Sequence, residues 1–250
     1  MLAASARCSQ TWSMQRAVTA THADPSDPPA ERPREYAQEA FRLPPGATQV
    51  LLVRHGASAP HVPGTSFPLV DGHGDPPLAP SGAEQAERVG ERLAGERIAG
   101  LYVTTLTRTH QTAAPLARRI GMEPVVVSEL REVHLGEWEG GEFRVRVAHG
   151  DPLVLQMVAE ERWDVIPGAE SPEAFGDRVR AGITSVAERH VGETAVVVTH
   201  GGVIGEACRQ ATGSRAFAFT LNENGSITRL IVHADGSWRV RTFNDVAHLY

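Results

Sequence analysis

Two short β-branched runs, each leading into a histidine and a glycine, constrain this chain more than anything else in it. Gln49-Val50-Leu51-Leu52 leads into Val53-Arg54-His55-Gly56, and Thr194-Ala195-Val196-Val197 leads into Val198-Thr199-His200-Gly201-Gly202. Apolar runs of this length, closed by glycine, read as buried parallel strands that end in loops. In open α/β sheets, ligands bind just beyond the carboxyl ends of such strands. Two imidazoles delivered there, with Arg54 beside one of them, suit an anionic substrate.

The segments between and after these runs alternate in kind. Further strands are expected at Gly100-Leu101-Tyr102-Val103, at residues 124–127 and at Ile227–Val232. Trp238-Arg239-Val240-Arg241, after the turn Asp235-Gly236-Ser237, is the expected hairpin partner of the last. Residues 81–95 read as a helix with a capping-box start (Ser81, Glu84) and with Ala83, Ala86, Val89 and Leu93 on one face. Ser171-Pro172 opens another helix, with Phe175, Val179, Ile183 and Val186 at helical spacing. Such alternation implies an α/β fold of three layers, α/β/α, a mostly parallel central sheet with helices on both faces.

Composition narrows the function. The 250 residues are 41% hydrophobic and 22% charged, enough for one large core or two small ones. Mean hydropathy is −0.23, and no run approaches the ~18 apolar residues of a membrane span. The net charge of −6 comes with no basic stripe, which argues against a nucleic-acid partner. An anion site must therefore be a local positive pocket in an acidic body. All 24 Lys/Arg cations are arginine, which excludes a Gly-Lys phosphate loop and a Schiff-base lysine. Two cysteines, Cys8 and Cys208, make no disulfide framework and fit a reduced, cytoplasmic setting. A cysteine phosphatase built on Cys208 would need arginine where the chain has Ser214.

Residues 1–46, rich in Ala, Ser, Pro and charge, read as a disordered or loosely packed extension. The first residues are broken by Arg7 and Gln10, so no signal peptide is expected; Met14 is an alternative start, and residues 35–41 have the makings of a helical turn or two.

Two more segments leave strand ends. Leu106-Thr107-Arg108 with Gln111-Thr112-Ala113 opens a helix, which places Arg108 in a first turn facing whatever anion the site holds; a solvated surface arginine is the plainer reading of that residue alone. Leu130-Arg131-Glu132-Val133-His134-Leu135-Gly136-Glu137-Trp138-Glu139-Gly140 follows the 124–127 run, and Glu132 is the carboxylate best placed to point into the same crevice. Trp138 reads as packed rather than catalytic, and His134 and His110 as orienting or surface residues. Asp71-Gly72-His73-Gly74-Asp75, with His61 upstream, matches no metal-ligand spacing and reads as a polar loop.

Taken in order, these blocks resemble the histidine phosphatase superfamily, the phosphoglycerate mutase-like group with an Arg-His-Gly motif. The resemblance spans residues 48–249 and also includes Leu78-Ala79-Pro80-Ser81-Gly82, Pro167-Gly168-Ala169-Glu170-Ser171 and the ending Phe243-Asn244-Asp245. It implies a phosphoglycerate mutase-like catalytic domain over residues 47–250, with His55 as a nucleophile that becomes phosphorylated. Arg54, Arg108 and His200 would hold the phosphoryl oxygens, with Ser58 and Gly201 beside them, and Glu132 would be the general acid. No metal or other cofactor is implied; the expected partner is a small phosphorylated substrate or inorganic phosphate, and relatives often form homodimers. The physics agrees, since phosphoryl transfer needs positioning and positive charge around the oxygens, and arginine forks match phosphate. A phosphate dianion beside Glu132 would favour its acid form, so an acid-leaning optimum is expected.

Three activities fit the resemblance: a phosphomonoester hydrolase, a phosphoglycerate mutase, and a catalytically silent phospholigand binder. After Arg-His-Gly the mutases continue Glu-Ser-x-Trp-Asn, whereas this chain has Ala57-Ser58-Ala59-Pro60-His61. The setting of Glu132 and the ending from Asn224-Gly225-Ser226 onward resemble the phosphatase branch. All five proposed catalytic residues are present, unlike the usual silent relative. Specificity is expected from residues 59–77 and 142–167, which would roof the crevice. In the second of these, Arg144 and Arg146 read either as a solvated helix face or as contacts to a second anionic group of the substrate.

Overall fold

The computed structural model describes residues 35–250. Residues 35–41 lie in no helix, so the helical turn expected there does not form; readings that fall on residues 1–34 lie outside the described residues. Arg42–Tyr250 is one compact unit.

In chain order its elements are β1 (Thr48–Arg54), a two-residue hairpin of β2 (Leu69–Val70) and β3 (His73–Gly74), α1 (Pro80–Leu93), β4 (Gly100–Val103), α2 (Thr107–Ile120) and β5 (Val125–Val126). Then come α3 (Glu142–His149), α4 (Pro152–Glu160), α5 (Pro172–Glu188), β6 (Thr194–Thr199), α6 (Gly201–Thr212), β7 (Ile227–Val232) and β8 (Trp238–Asp245). The six-stranded sheet has the order β5-β4-β6-β1-β7-β8. The first four run parallel; β7 pairs antiparallel with β1, and β8 antiparallel with β7.

Alternation along β1 divides the core. Leu51 and Val53 pack with Val89, Leu93 and Leu116 of α1 and α2, while Val50 and Leu52 pack with Val179, Ile183 and Ile204 of α5 and α6. Burial on both faces explains why these strands read as continuous apolar runs. The helices thus lie on both faces of the sheet, the expected three-layer α/β architecture. A smaller cluster of Trp138, Val154, Met157 and Ile166 lies under α4. Among the described residues no helix is long and apolar enough to cross a membrane.

Several local expectations need correction. The capping box at Ser81 and Glu84 does not form: Pro80 takes the first helical position, Ala79 is the N-cap, and no side chain caps it. Ala83 is exposed, and Gly82, Ala86, Val89, Gly90 and Leu93 form the inward face. The run at 124–127 contributes only a two-residue, exposed edge strand. By contrast, Ser171 caps α5 by accepting from the Ala174 amide, and Phe175, Val179, Ile183 and Val186 are all buried. β8 extends past Arg241 to Asp245, with register shifts against β7.

Candidate active site

The register of β1 against β6 brings the two histidines together. Val53 pairs with Val198 and Arg54 with Thr199, and the His55 amide donates to the Thr199 carbonyl at 2.9 Å. Each chain therefore leaves the sheet at the same level. The two imidazoles meet edge to face with centroids 5.2 Å apart.

Backbone contacts hold His55 in place. Its carbonyl accepts from Asn224 Nδ2 at 2.9 Å, and the Gly56 amide donates to Thr112 Oγ1 at 3.0 Å. A Cβ on Gly56 would sit 2.3 Å from the Gly82 carbonyl oxygen, and one on Gly82 2.0 Å from that of Ala57. The glycine at each position lets α1 close against the loop. His55 Nδ1 lies 2.8 Å from the Gly56 carbonyl, which can only accept, so Nδ1 carries the proton. Nε2 keeps its lone pair and accepts from Arg108 Nε at 3.3 Å. Burial, then the charges of Arg108 and Arg54, hold His55 well below the ordinary imidazole range; burial, then Arg108, does the same to His200.

Arg108 sits in the first turn of α2, as expected, but it is not a solvated surface arginine: it is 7% exposed. Its Nη1 donates to the Gly74 carbonyl at 2.9 Å and lies 3.8 Å from Asp75 Oδ1. Arg54 donates through Nη1 to the Asn222 carbonyl. A Cβ on Gly201 would stand 3.3 Å from the Arg54 guanidinium carbon, so Gly201 gives that arginine room, although it does not itself line the cavity. Glu132 accepts the Val133 amide at 3.0 Å on Oε1 and the Gly202 amide, at the start of α6, at 3.2 Å on Oε2. A Cβ on Gly202 would press to 2.5 Å from Glu132. His200 Nε2 is 3.0 Å from Thr104 Oγ1.

Arg54, His55, Ser58, Arg108 and Glu132 line one cavity of about 440 Å³. His200 is fully buried behind His55. Two atoms at this place, Arg54 Nε and His200 Nδ1, are buried and find no hydrogen-bond partner among the described residues. Buried polar atoms rarely stay unpaired.

Several supporting residues were not singled out in the sequence. Asp75, buried in the supposed polar loop, accepts the Thr107 amide at 2.8 Å and the Thr107 hydroxyl at 2.6 Å, so it caps α2 and faces Arg108. Asp71 in that loop pairs with Arg131. Arg178 of α5 donates to the carbonyls of Glu129, Arg131 and Glu132 and to both oxygens of Glu170, which fixes the Glu132 loop. Glu139 holds the Gly74 and Leu135 amides. Asn222 and Asn224 anchor Arg54 and His55 from the turn before β7. Only the Asn-Glu-Asn-Gly turn carried a visible signal. His110 is exposed, and His134 packs edge to face on His73 and accepts the Gly136 amide, both as expected. Burial pushes the Cys208 thiol up to about 12, which leaves it inert.

The fold and the site place two histidines and two arginines at the carboxyl ends of two adjacent parallel strands. The chain belongs to the histidine phosphatase superfamily (branch 1), whose profile matches residues 50–246. It is 34% identical over 207 residues to phosphoglycerate mutase-like protein 4 of Arabidopsis thaliana, covering 80% of this chain and 86% of that one. It is 29% identical to a metal-independent phosphoserine phosphatase of the same plant, covering 88% and 90%. Among solved structures, mycobacterial glucosyl-3-phosphoglycerate phosphatase in complex with VO3 superposes with a TM-score of 0.64 at 25% identity, covering 78% of this chain and 98% of that one.

Proposed function

We propose that this protein hydrolyses phosphate monoesters by way of a phosphohistidine on His55. The observation that carries the reading is the placement of His55 at the cavity: Nδ1 faces the Gly56 carbonyl and so carries the proton, leaving Nε2 unprotonated beside Arg108. In the first step Nε2 attacks phosphorus and the bond to the ester oxygen breaks, with the proton on Glu132 passing to the departing alkoxide. In the second, water attacks the phosphohistidine; Glu132 takes the water's proton, the phosphorus–nitrogen bond breaks, and inorganic phosphate leaves.

Arg54 and Arg108 place guanidinium charge around the phosphoryl oxygens, where phosphoryl transfer gains most. His200 Nδ1 and Arg54 Nε gain the partners they lack. The reading assigns this chemistry to residues 47–250 in a cytoplasmic setting, with residues 1–46 as an extension. Support comes from the phosphatase among the relatives and from the solved structure holding a vanadium oxoanion.

Hydrolysis of an aryl phosphate, compared between wild type and His55→Ala, tests it. Turnover abolished by the substitution is expected; turnover that survives it overturns the nucleophile. Conversion of 3-phosphoglycerate in the presence of 2,3-bisphosphoglycerate, outpacing release of phosphate, would favour a mutase.

A further inference from the structure

Arg178 of α5 lies outside the residues that line the cavity, yet every polar hydrogen it has is committed to the loop that carries Glu132 or to Glu170. Nε donates to Glu170 Oε1 at 2.6 Å and Nη2 to Oε2 at 2.7 Å, a bidentate pair. Nη1 donates to the carbonyls of Glu129 and Arg131 at 2.7 and 2.6 Å, and Nη2 to that of Glu132 at 2.9 Å. These bonds use all five N–H donors of an arginine. The guanidinium lies over the Phe175 ring, 4.8 Å from its centre.

Four consecutive carbonyls of the loop are therefore held by side chains, that of Leu130 by Thr199 Oγ1 at 2.8 Å and the others by Arg178. The carbonyls of Arg131 and Glu132 belong to the two peptide planes on either side of the Glu132 Cα. Fixing both planes fixes φ and ψ there, and with them the direction of the Cα–Cβ bond. At its far end the carboxylate takes the Val133 and Gly202 amides, and Gly202 leaves no room for a methyl group against it. Both of these partners are backbone groups, so the aim of the carboxyl follows the backbone. Glu170 ties the loop again two residues on: its amide donates to the His134 carbonyl at 2.9 Å, and its Oε2 accepts the His134 amide at 3.3 Å.

We propose that Arg178 is a positioning residue for proton transfer: by holding both peptide planes that flank Glu132, it aims that carboxyl at the leaving oxygen without touching the substrate. This rests on the hydrolase reading above and deepens it. Lysine is no substitute, because it keeps the charge for Glu170 but has three donors on one atom, too few for three carbonyls and a carboxylate.

The full chain is assayed with an alkyl phosphate and with nitrophenyl phosphate, whose alcohol departs without a proton. Arg178→Lys and Arg178→Gln are expected to lower kcat for the alkyl ester about tenfold to hundredfold, glutamine more than lysine, as a misplaced catalytic group does. The nitrophenyl ester should stay within about threefold of wild type, and vanadate inhibition should not change, because the grip on the oxyanion is untouched. Should the glutamine variant not fold, the lysine variant carries the same comparison. Combined with Glu132→Gln, Arg178→Lys should add nothing on the alkyl ester, since both changes remove one proton transfer. Equal losses on both esters, weakened vanadate inhibition, or a multiplied loss in the double variant overturns the inference, and nitrophenyl phosphate turnover dependent on His55 then leaves the hydrolase reading standing. Hydrolysis of neither ester by wild type overturns both.

Discussion

The floor of the cavity and its roof are held by different forces. On the floor, His55, His200, Arg54 and Arg108 leave strand or helix ends; the Thr199 and Gly74 carbonyls take the His55 amide and Arg108, and the Asn224 side chain holds the His55 carbonyl. The glycines there leave no room for a methyl group. The roof, from residues 59–77 and 136–166, is carried by a small apolar cluster and by arginines lying over rings. Its turns use positive φ at Gly136, Gly140 and Gly141. In the proposed reading, a floor of this kind tolerates little substitution and sets the reaction, while a roof with more side-chain contacts can be rebuilt and selects the substrate.

Removing the nucleophile should produce the largest effect. His55→Ala is expected to lower kcat by at least about a thousandfold, since groups acting as one unit fail together. The comparison breaks if a roof substitution such as Phe143→Ala does comparable damage in the same aryl phosphate assay. Next comes Glu132→Gln, which keeps an oxygen for the Gly202 amide but has no proton to give. A loss of about 100-fold to 1000-fold is expected for an alkyl ester. The loss should shrink for a nitrophenyl ester, whose leaving oxygen needs no proton. Equal losses on both esters would place Glu132 outside proton transfer, as would a wild-type profile that climbs steadily into alkaline pH.

Asp75 tests where floor and roof join. It comes from the roof loop, yet it caps α2 and faces Arg108. Asp75→Asn removes the charge and sets an amide against the Thr107 hydroxyl. We expect kcat/KM to fall about tenfold, with about 1–3 kcal/mol lost from stability. Inhibition by vanadate should weaken in step, because Arg108 loses its orientation. Vanadate affinity equal to wild type would make Asp75 a helix cap and nothing more.

These differences also account for what was legible in the sequence. The floor was legible because strand ends announce themselves: β1 and β6 are buried on both faces, so their apolar runs are unbroken up to Arg54 and Thr199. The glycines that follow are demanded by close approach. Asp75 was opaque because its role depends on a loop reaching the start of α2 from 32 residues away. Arg178 resembles any arginine on a helix; only the fold shows it collecting three loop carbonyls. The Ser81–Glu84 capping pattern misled because Pro80, with no N–H to offer, suits the first helical position and moved the start upstream. Arg144 and Arg146 could not be told apart, since helix position alone does not say that Arg146 finds Glu142 and Asp151 while Arg144 lines the cavity.

The smallest effect expected is on stability, and it tests the state of the floor's histidines. His55 and His200 are held below their ordinary value by burial and by the arginines. Between that lowered folded value and about 6.5, the unfolded chain binds more protons than the folded one. Stability is therefore complete above about pH 6.5 and declines as pH falls below it. Each of the two contributes at most about 1.4 kcal/mol per pH unit in that window. His55→Ala should flatten the fall, measured as the slope of unfolding free energy against pH. A residual slope should remain from His200, and from His73 and His248, which shift the same way. If His55→Ala and wild type share one slope, the nucleophile is not held in its neutral form by the fold.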